Sequence, residues 1–159
     1  MFPSIVILTG AGISRESGLS TFRDADGVWA KVRLEDYATP EAFERDPARV
    51  HGFYNARRAQ LREPEVQPNA AHLALAELDR RWPGPLLLVT QNVDDLHERA
   101  GSRPVHHLHG SLSEFWCDTC GSRYHGPLPD MPEPELERMP PHCECGGLIR
   151  PGIVWFGEQ

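Results

Sequence analysis

Apolar residues come in two continuous runs and several interrupted stripes. Ile5-Val6-Ile7-Leu8 and Leu86-Leu87-Leu88-Val89-Thr90 read as parallel strands buried on both faces. A shorter run, His106-His107-Leu108, reads as a third strand. Helices are predicted between them. Thr39-Pro40 caps a short one. Asp46-Pro47 opens another reaching Arg62, with Val50, Phe53 and Leu61 on its apolar stripe. Asn69 caps a helix over 70–81 whose Leu73, Leu75 and Leu78 face the sheet, and Gly101 is the left-handed stop of a helix over 93–100. Six prolines between positions 127 and 141 mark an irregular, solvated excursion, with a partner-binding role as the alternative. Strands alternating with helices predict an α/β fold around a parallel sheet.

Both strong strands run into polar turns. The first is followed by Gly10-Ala11-Gly12-Ile13-Ser14, where small residues let backbone N–H groups approach a phosphate and Ser14 caps a short helix. The dinucleotide fingerprint asks for a third glycine where Arg15 stands, and the next glycine is Gly18. A polar loop over 19–29 follows, too long for a simple connection, so an uncommon dinucleotide site is expected. The second strand leads to Gln91-Asn92-Val93-Asp94, at the carboxyl edge where open parallel sheets hold ligands. The alternative is that Asn92 or Asp94 merely caps the next helix. Among eight histidines, His109 alone follows a strand, precedes a glycine and lies near the cysteines, which marks it as the candidate general base. His51, His72 and His97 read as surface or supporting residues.

With 159 residues, 40% hydrophobic and 25% charged, the chain has the makeup of a folded domain. Sixteen Lys and Arg against 23 Asp and Glu leave a net charge of -7, which argues against DNA as partner. No apolar run approaches the ~20 residues of a membrane span. Met1-Phe2-Pro3-Ser4 enters the first strand with no signal-peptide pattern, so a cytoplasmic location is expected. In that reducing setting Cys117-x-x-Cys120 and Cys143-x-Cys145, 22 residues apart, favour one tetrahedral Zn2+ over disulfides. A redox pair or four unrelated thiols are the alternatives, and His142 is a reserve ligand because Cys-x-Cys is tighter than usual. Four protein ligands leave no position for water, so the metal is expected to be structural.

Gly10-Ala11-Gly12-Ile13-Ser14, Thr21-Phe22-Arg23, Gln91-Asn92-Val93-Asp94, His109-Gly110 and Val154-Trp155-Phe156-Gly157-Glu158, ordered around split cysteine pairs, together resemble a sirtuin. The resemblance implies a Rossmann-like large domain with a small zinc-binding domain, and NAD-dependent removal of acyl groups from protein lysines, giving nicotinamide and O-acyl-ADP-ribose. It implies that the loop from Gly10 through Gly18 to Trp29 covers NAD, with Phe22 and Arg23 toward its ribose and phosphates. Gln91, Asn92, Val93 and Asp94 would hold the nicotinamide ribose region, with Asn92 and Asp94 assisting catalysis by His109. Tyr54 and Arg57, three apart on one helical face, resemble the pair by which bacterial class III sirtuins grip succinyl or malonyl carboxylates, acetyl being accepted too. A snorkelling arginine or a structural ion pair is the alternative. Val154, Trp155 and Phe156 resemble the segment pairing with the substrate backbone.

The expected organisation is a Rossmann-like part over 1–112 with a helical insertion at about 33–64, a zinc module over 113–149 and a return segment over 150–159. Family members continue beyond this point, so the sheet and cofactor site are expected to be incomplete here. A non-catalytic zinc- or ADP-ribose-binding fragment and a mono-ADP-ribosyl transferase remain alternatives.

Overall fold

The computed structural model describes residues 2–19, 32–126 and 141–158. β1 (Ile5–Thr9), β2 (Leu86–Thr90) and β3 (Val105–His107) form a parallel sheet in the order β1-β2-β3. Register pairs Thr9 with Thr90 and Thr90 with His107, so the polar ends of all three strands lie side by side. The Rossmann-like α/β expectation holds.

Helices begin where local chemistry says they should. In α2 (Pro40–Arg45) the Thr39 hydroxyl accepts from Ala42 N–H, and before α3 (Pro47–Leu61) the Asp46 carboxylate accepts from Arg49 N–H. Asn69 caps α4 (Ala70–Arg81), and its own N–H donates to Nδ1 of the His72 ring, which does the work of the usual Glu or Gln. Gly101 stops α5 (Leu96–Ala100) at φ +106, a conformation that side-chain-bearing residues rarely adopt. That helix starts three residues later than predicted because the segment before it runs through the polar turn.

The expected burial of the sheet and of the α4 leucines is corrected. Val6, Leu8 and Leu87 are 69%, 60% and 39% exposed, so one face of the sheet is open rather than buried. A continuous apolar run cannot say which of its faces is covered. On α4, Leu73 is exposed while Leu75 and Leu78 are half-buried.

Two compact units are present: Met1–Lys31 with Arg62–Ser111, and Val32–Leu61 with Leu112–Gln159. The first holds the parallel sheet. In the second, β4 (Gly110–Cys117) pairs with β5 (Ile149–Ile153), and Phe115, Cys117 and Ile149 form a buried cluster against which Tyr124 and Cys143 pack. His51 on α3 is fully buried between Phe43 and Phe115, and its Nε2–H donates to the Ile149 carbonyl at 2.8 Å. His51, His72 and His97 are all buried, which corrects the surface reading. No described helix is long and apolar enough to cross a membrane.

Candidate functional site

In the first unit, the site is built where β1 and β2 end. Gly10 precedes α1 (Ala11–Ser14) and Gly12 is its second residue, and a side chain built at either would meet no atom within 4 Å, so bare backbone faces open space there. Ser14 does not cap a helix, contrary to expectation. Its buried hydroxyl donates to Asp94 Oδ2 at 2.9 Å and accepts from Asn92 Nδ2 at 3.0 Å, so one oxygen orients both residues. Asp94 Oδ1 accepts from Leu96 N–H at 3.2 Å, so Asp94 supports the helix start and the polar cluster together. Burial raises the Asp94 pKa, and the Ser14 and Leu96 hydrogen bonds oppose that rise. The Ile13 carbonyl is pinned by Asn69 Nδ2 at 2.7 Å, and Gly18 closes the turn at φ +88. Thr21, Phe22, Arg23 and Trp29 lie outside the described residues.

Beneath this cluster the hydrogen bonds have one direction. Thr9 donates its hydroxyl hydrogen to Thr90, so it accepts from His97 Nε2–H at 2.9 Å. Thr90 Oγ1 also accepts from Asn92 N–H at 3.1 Å. Burial pulls His97 down to about 4, so it stays neutral at pH 7. His107 donates through Nδ1 to the Asn92 carbonyl and through Nε2 to Glu98, both at 2.8 Å. Glu98 raises the His107 pKa, favouring the imidazolium that can donate twice. The pairing of His107 with Glu98, of Thr90 with Thr9 and of Asn69 with Ile13 gives supporting roles that sequence reasoning missed, because the partners lie 9 to 81 residues apart.

His109 is exposed, and its ring lies 3.0 Å from the Gln91 carbonyl through Nδ1. A carbonyl only accepts, so Nδ1 carries a hydrogen, and in the neutral ring the lone pair is then on Nε2. That is the tautomer a general base needs. Gln91 is exposed and Val93 half-buried beside it.

In the second unit, Cys117, Cys120, Cys143 and Cys145 bring their four sulfurs within 4.8 Å of one another. Cys117 to Cys145 is 3.5 Å and Cys120 to Cys143 is 3.8 Å. Zn–S bonds of ~2.3 Å in a tetrahedron require sulfurs about 3.8 Å apart, so the four thiols fit zinc. Thr119 and Cys120 N–H groups point at the Cys117 sulfur at 3.4 and 3.5 Å. The tight Cys-x-Cys is accommodated by Gly146 at φ +89, while His142 bonds the Gly146 carbonyl through its ring and stands outside the sulfur cluster.

Also in this unit, α3 carries Tyr54 and Arg57. The Arg57 guanidinium lies 3.3 Å over the Phe53 ring, donates through Nη1 to the Phe53 carbonyl at 2.8 Å, and has a buried Nε without partner. Burial lowers its pKa to about 10, and no described carboxylate faces it. Burial likewise pushes Tyr54 up to about 12, so its phenol is a donor at neutral pH. Val154 and Phe156, just past β5, are exposed, whereas Trp155 is buried and donates Nε1–H to the Tyr54 oxygen at 3.1 Å.

The sequence pattern described as the Sir2 family matches residues 10–159. The chain is 55% identical over 159 residues to an NAD-dependent protein deacylase of Bdellovibrio bacteriovorus, covering 100% of this chain and 66% of that protein. It is 52% identical over 157 residues to an NAD-dependent protein deacylase of Escherichia coli (strain K12), covering 99% and 55%. A crystal structure of a Sir2 homolog–NAD complex superposes with a TM-score of 0.79 at 46% identity, covering 98% of this chain and 58% of the other. The chain therefore spans a little over half to two thirds of the length of these curated relatives.

Proposed function

The chain belongs to the Sir2 family, and on that premise we propose that the protein is an NAD-dependent protein-lysine deacylase favouring acyl groups that end in a carboxylate. Succinyl- and malonyl-lysine are its preferred substrates, with acetyl-lysine also accepted. The observation that carries the deacylase reading is the Ser14 hydroxyl holding Asn92 and Asp94 together at the carboxyl edge of the parallel sheet. Bound NAD would supply an activated ribose carbon with nicotinamide as its leaving group. The backbone from Gly10 to Gly18 would receive the phosphates, and Gln91, Asn92, Val93 and Asp94 the nicotinamide ribose region. His109 offers its Nε2 lone pair as the proton acceptor. Four cysteine thiolates would hold one Zn2+ with a closed coordination sphere, a structural part only.

The acyl preference rests on Arg57. A half-buried guanidinium with no facing described carboxylate lacks the partner that would offset its desolvation, and a substrate carboxylate supplies one. Tyr54 adds a neutral donor one helical turn away. Val154 and Phe156 would run beside the substrate backbone.

The test is nicotinamide release from NAD with matched succinyl- and acetyl-lysine peptides, for wild type and Arg57→Met. Arg57→Met should cut succinyl turnover at least about 10-fold more than acetyl turnover, the scale of a lost charge-assisted hydrogen bond. Equal losses would remove the acyl preference. ADP-ribose left on the peptide would indicate a transferase instead, and ADP-ribose binding without nicotinamide release a binding module.

A further inference from the structure

A tyrosine hydroxyl can donate one hydrogen bond and accept others, so its position alone does not say whether it offers an anion a hydrogen or a lone pair. Tyr54 is not left with that choice. The Trp155 indole nitrogen is a donor only, and it reaches the Tyr54 oxygen at 3.1 Å. The phenol oxygen must therefore accept, and its own hydrogen must go elsewhere. Among the described residues nothing accepts that hydrogen, although the residue is buried. A buried O–H without an acceptor, beside an arginine without a carboxylate, is the unfilled half of an anion site.

The indole is itself held from two sides. The Arg150 guanidinium stacks 3.5 Å over the Trp155 ring, donates to the Ile153 carbonyl at 2.8 Å and pairs with both oxygens of Glu158. Glu158 Oε2 also accepts from the Trp155 backbone N–H at 2.7 Å. Glu158 is held by Arg150 and the Trp155 backbone, and no hydrogen bond joins it to the Tyr54 phenol. Arg150 spends its charge inside this clamp and Arg57 does not, which separates a structural arginine from a ligand-seeking one in the same unit.

We infer that Trp155 is a positioning residue of the acyl pocket: its indole N–H, fixed by the Arg150–Glu158 clamp, makes the Tyr54 oxygen an acceptor and thereby aims the phenol hydrogen at a substrate carboxylate. This rests on the acyl-carboxylate reading above. It assigns the Trp155 side chain a role distinct from the backbone pairing its segment resembles.

The experiment measures the affinities of matched succinyl- and acetyl-lysine peptides by calorimetry, with the succinyl-to-acetyl ratio as readout. Trp155→Phe keeps a smaller aromatic ring under Arg150 and removes the N–H. It should lower the ratio about five-fold, the scale of one weakened hydrogen bond to a charged group. In a Tyr54→Phe background the same substitution should leave the ratio where Tyr54→Phe put it, since Trp155 acts through the phenol. A purely structural role would weaken both peptides together and leave the ratio unchanged, overturning the inference. Arg57→Met serves as the separate control. If it abolishes the preference while Trp155→Phe does not touch it, the inference fails and the acyl reading stands; if Arg57→Met leaves the preference intact, the acyl reading fails first.

A wild-type measurement covers the case in which Trp155→Phe does not fold. Donating to a carboxylate makes the phenol oxygen a stronger acceptor. The Trp155 indole N–H resonance, assigned by through-bond experiments, should therefore shift downfield with the succinyl peptide and less with the acetyl peptide. Equal shifts with both bound peptides would overturn the inference.

Discussion

Acid should loosen the second unit through His51. The ring is fully buried between Phe43 and Phe115, its Nε2–H is committed to the Ile149 carbonyl, and its Nδ1 has no partner among the described residues. Burial lowers its pKa from 6.5 to about 4, the Ile149 bond resists that fall, and the Arg58 charge adds to it. In the unfolded chain the same ring protonates near 6.5. A depressed folded value means that stability is intact above pH 6.5, declines as the pH falls below it, and levels off below the folded pKa. Linkage between 6.5 and about 4 removes about 2 kcal/mol by pH 5 and about 3 kcal/mol by pH 4. His51→Gln keeps a donor for Ile149 but cannot titrate. Urea unfolding followed by circular dichroism at pH 7, 6 and 5 should show wild type losing about 2 kcal/mol more than the variant over that span. Lost ring packing offsets the variant equally at each pH, and titrations common to both proteins cancel in the difference. Parallel pH dependences would refute the reasoning, since the proton would then have found a place in the folded state. Because His51 ties α3 to β5, the same acidification should weaken binding by Tyr54 and Arg57, which share that helix.

Three further outcomes are expected. His109→Asn should cut deacylation by about 10²-fold or more, with the melting temperature little changed because the ring is exposed; nicotinamide release and calorimetry check the two halves. Atomic absorption should find one zinc per chain, lost in Cys145→Ser and retained in His142→Ala, since the four sulfurs alone have tetrahedral spacing. Ser14→Ala should destabilise the first unit by about 1–3 kcal/mol in urea titrations, because it strands Asn92 Nδ2 and Asp94 Oδ2 in a buried place.

Features that depend on residues within a few positions of one another were legible from the chain alone. The Thr39, Asp46 and Asn69 caps, the Gly101 stop and the strand runs are of this kind, because backbone geometry links only near neighbours. The positions of the cysteines likewise implied one shared metal, and the four sulfurs do converge. Burial and pairing across long separations needed the fold. Register sets Thr9 beside Thr90 and lets one serine at position 14 hold residues 92 and 94. Packing of α3 decides that His51 is inside, and the turn after β5 decides that Arg150 is neutralised by Glu158 while Arg57 is not. Local sequence can specify a donor or an acceptor, but which group meets it across ~80 or 100 residues is settled only when the strands and helices are in place.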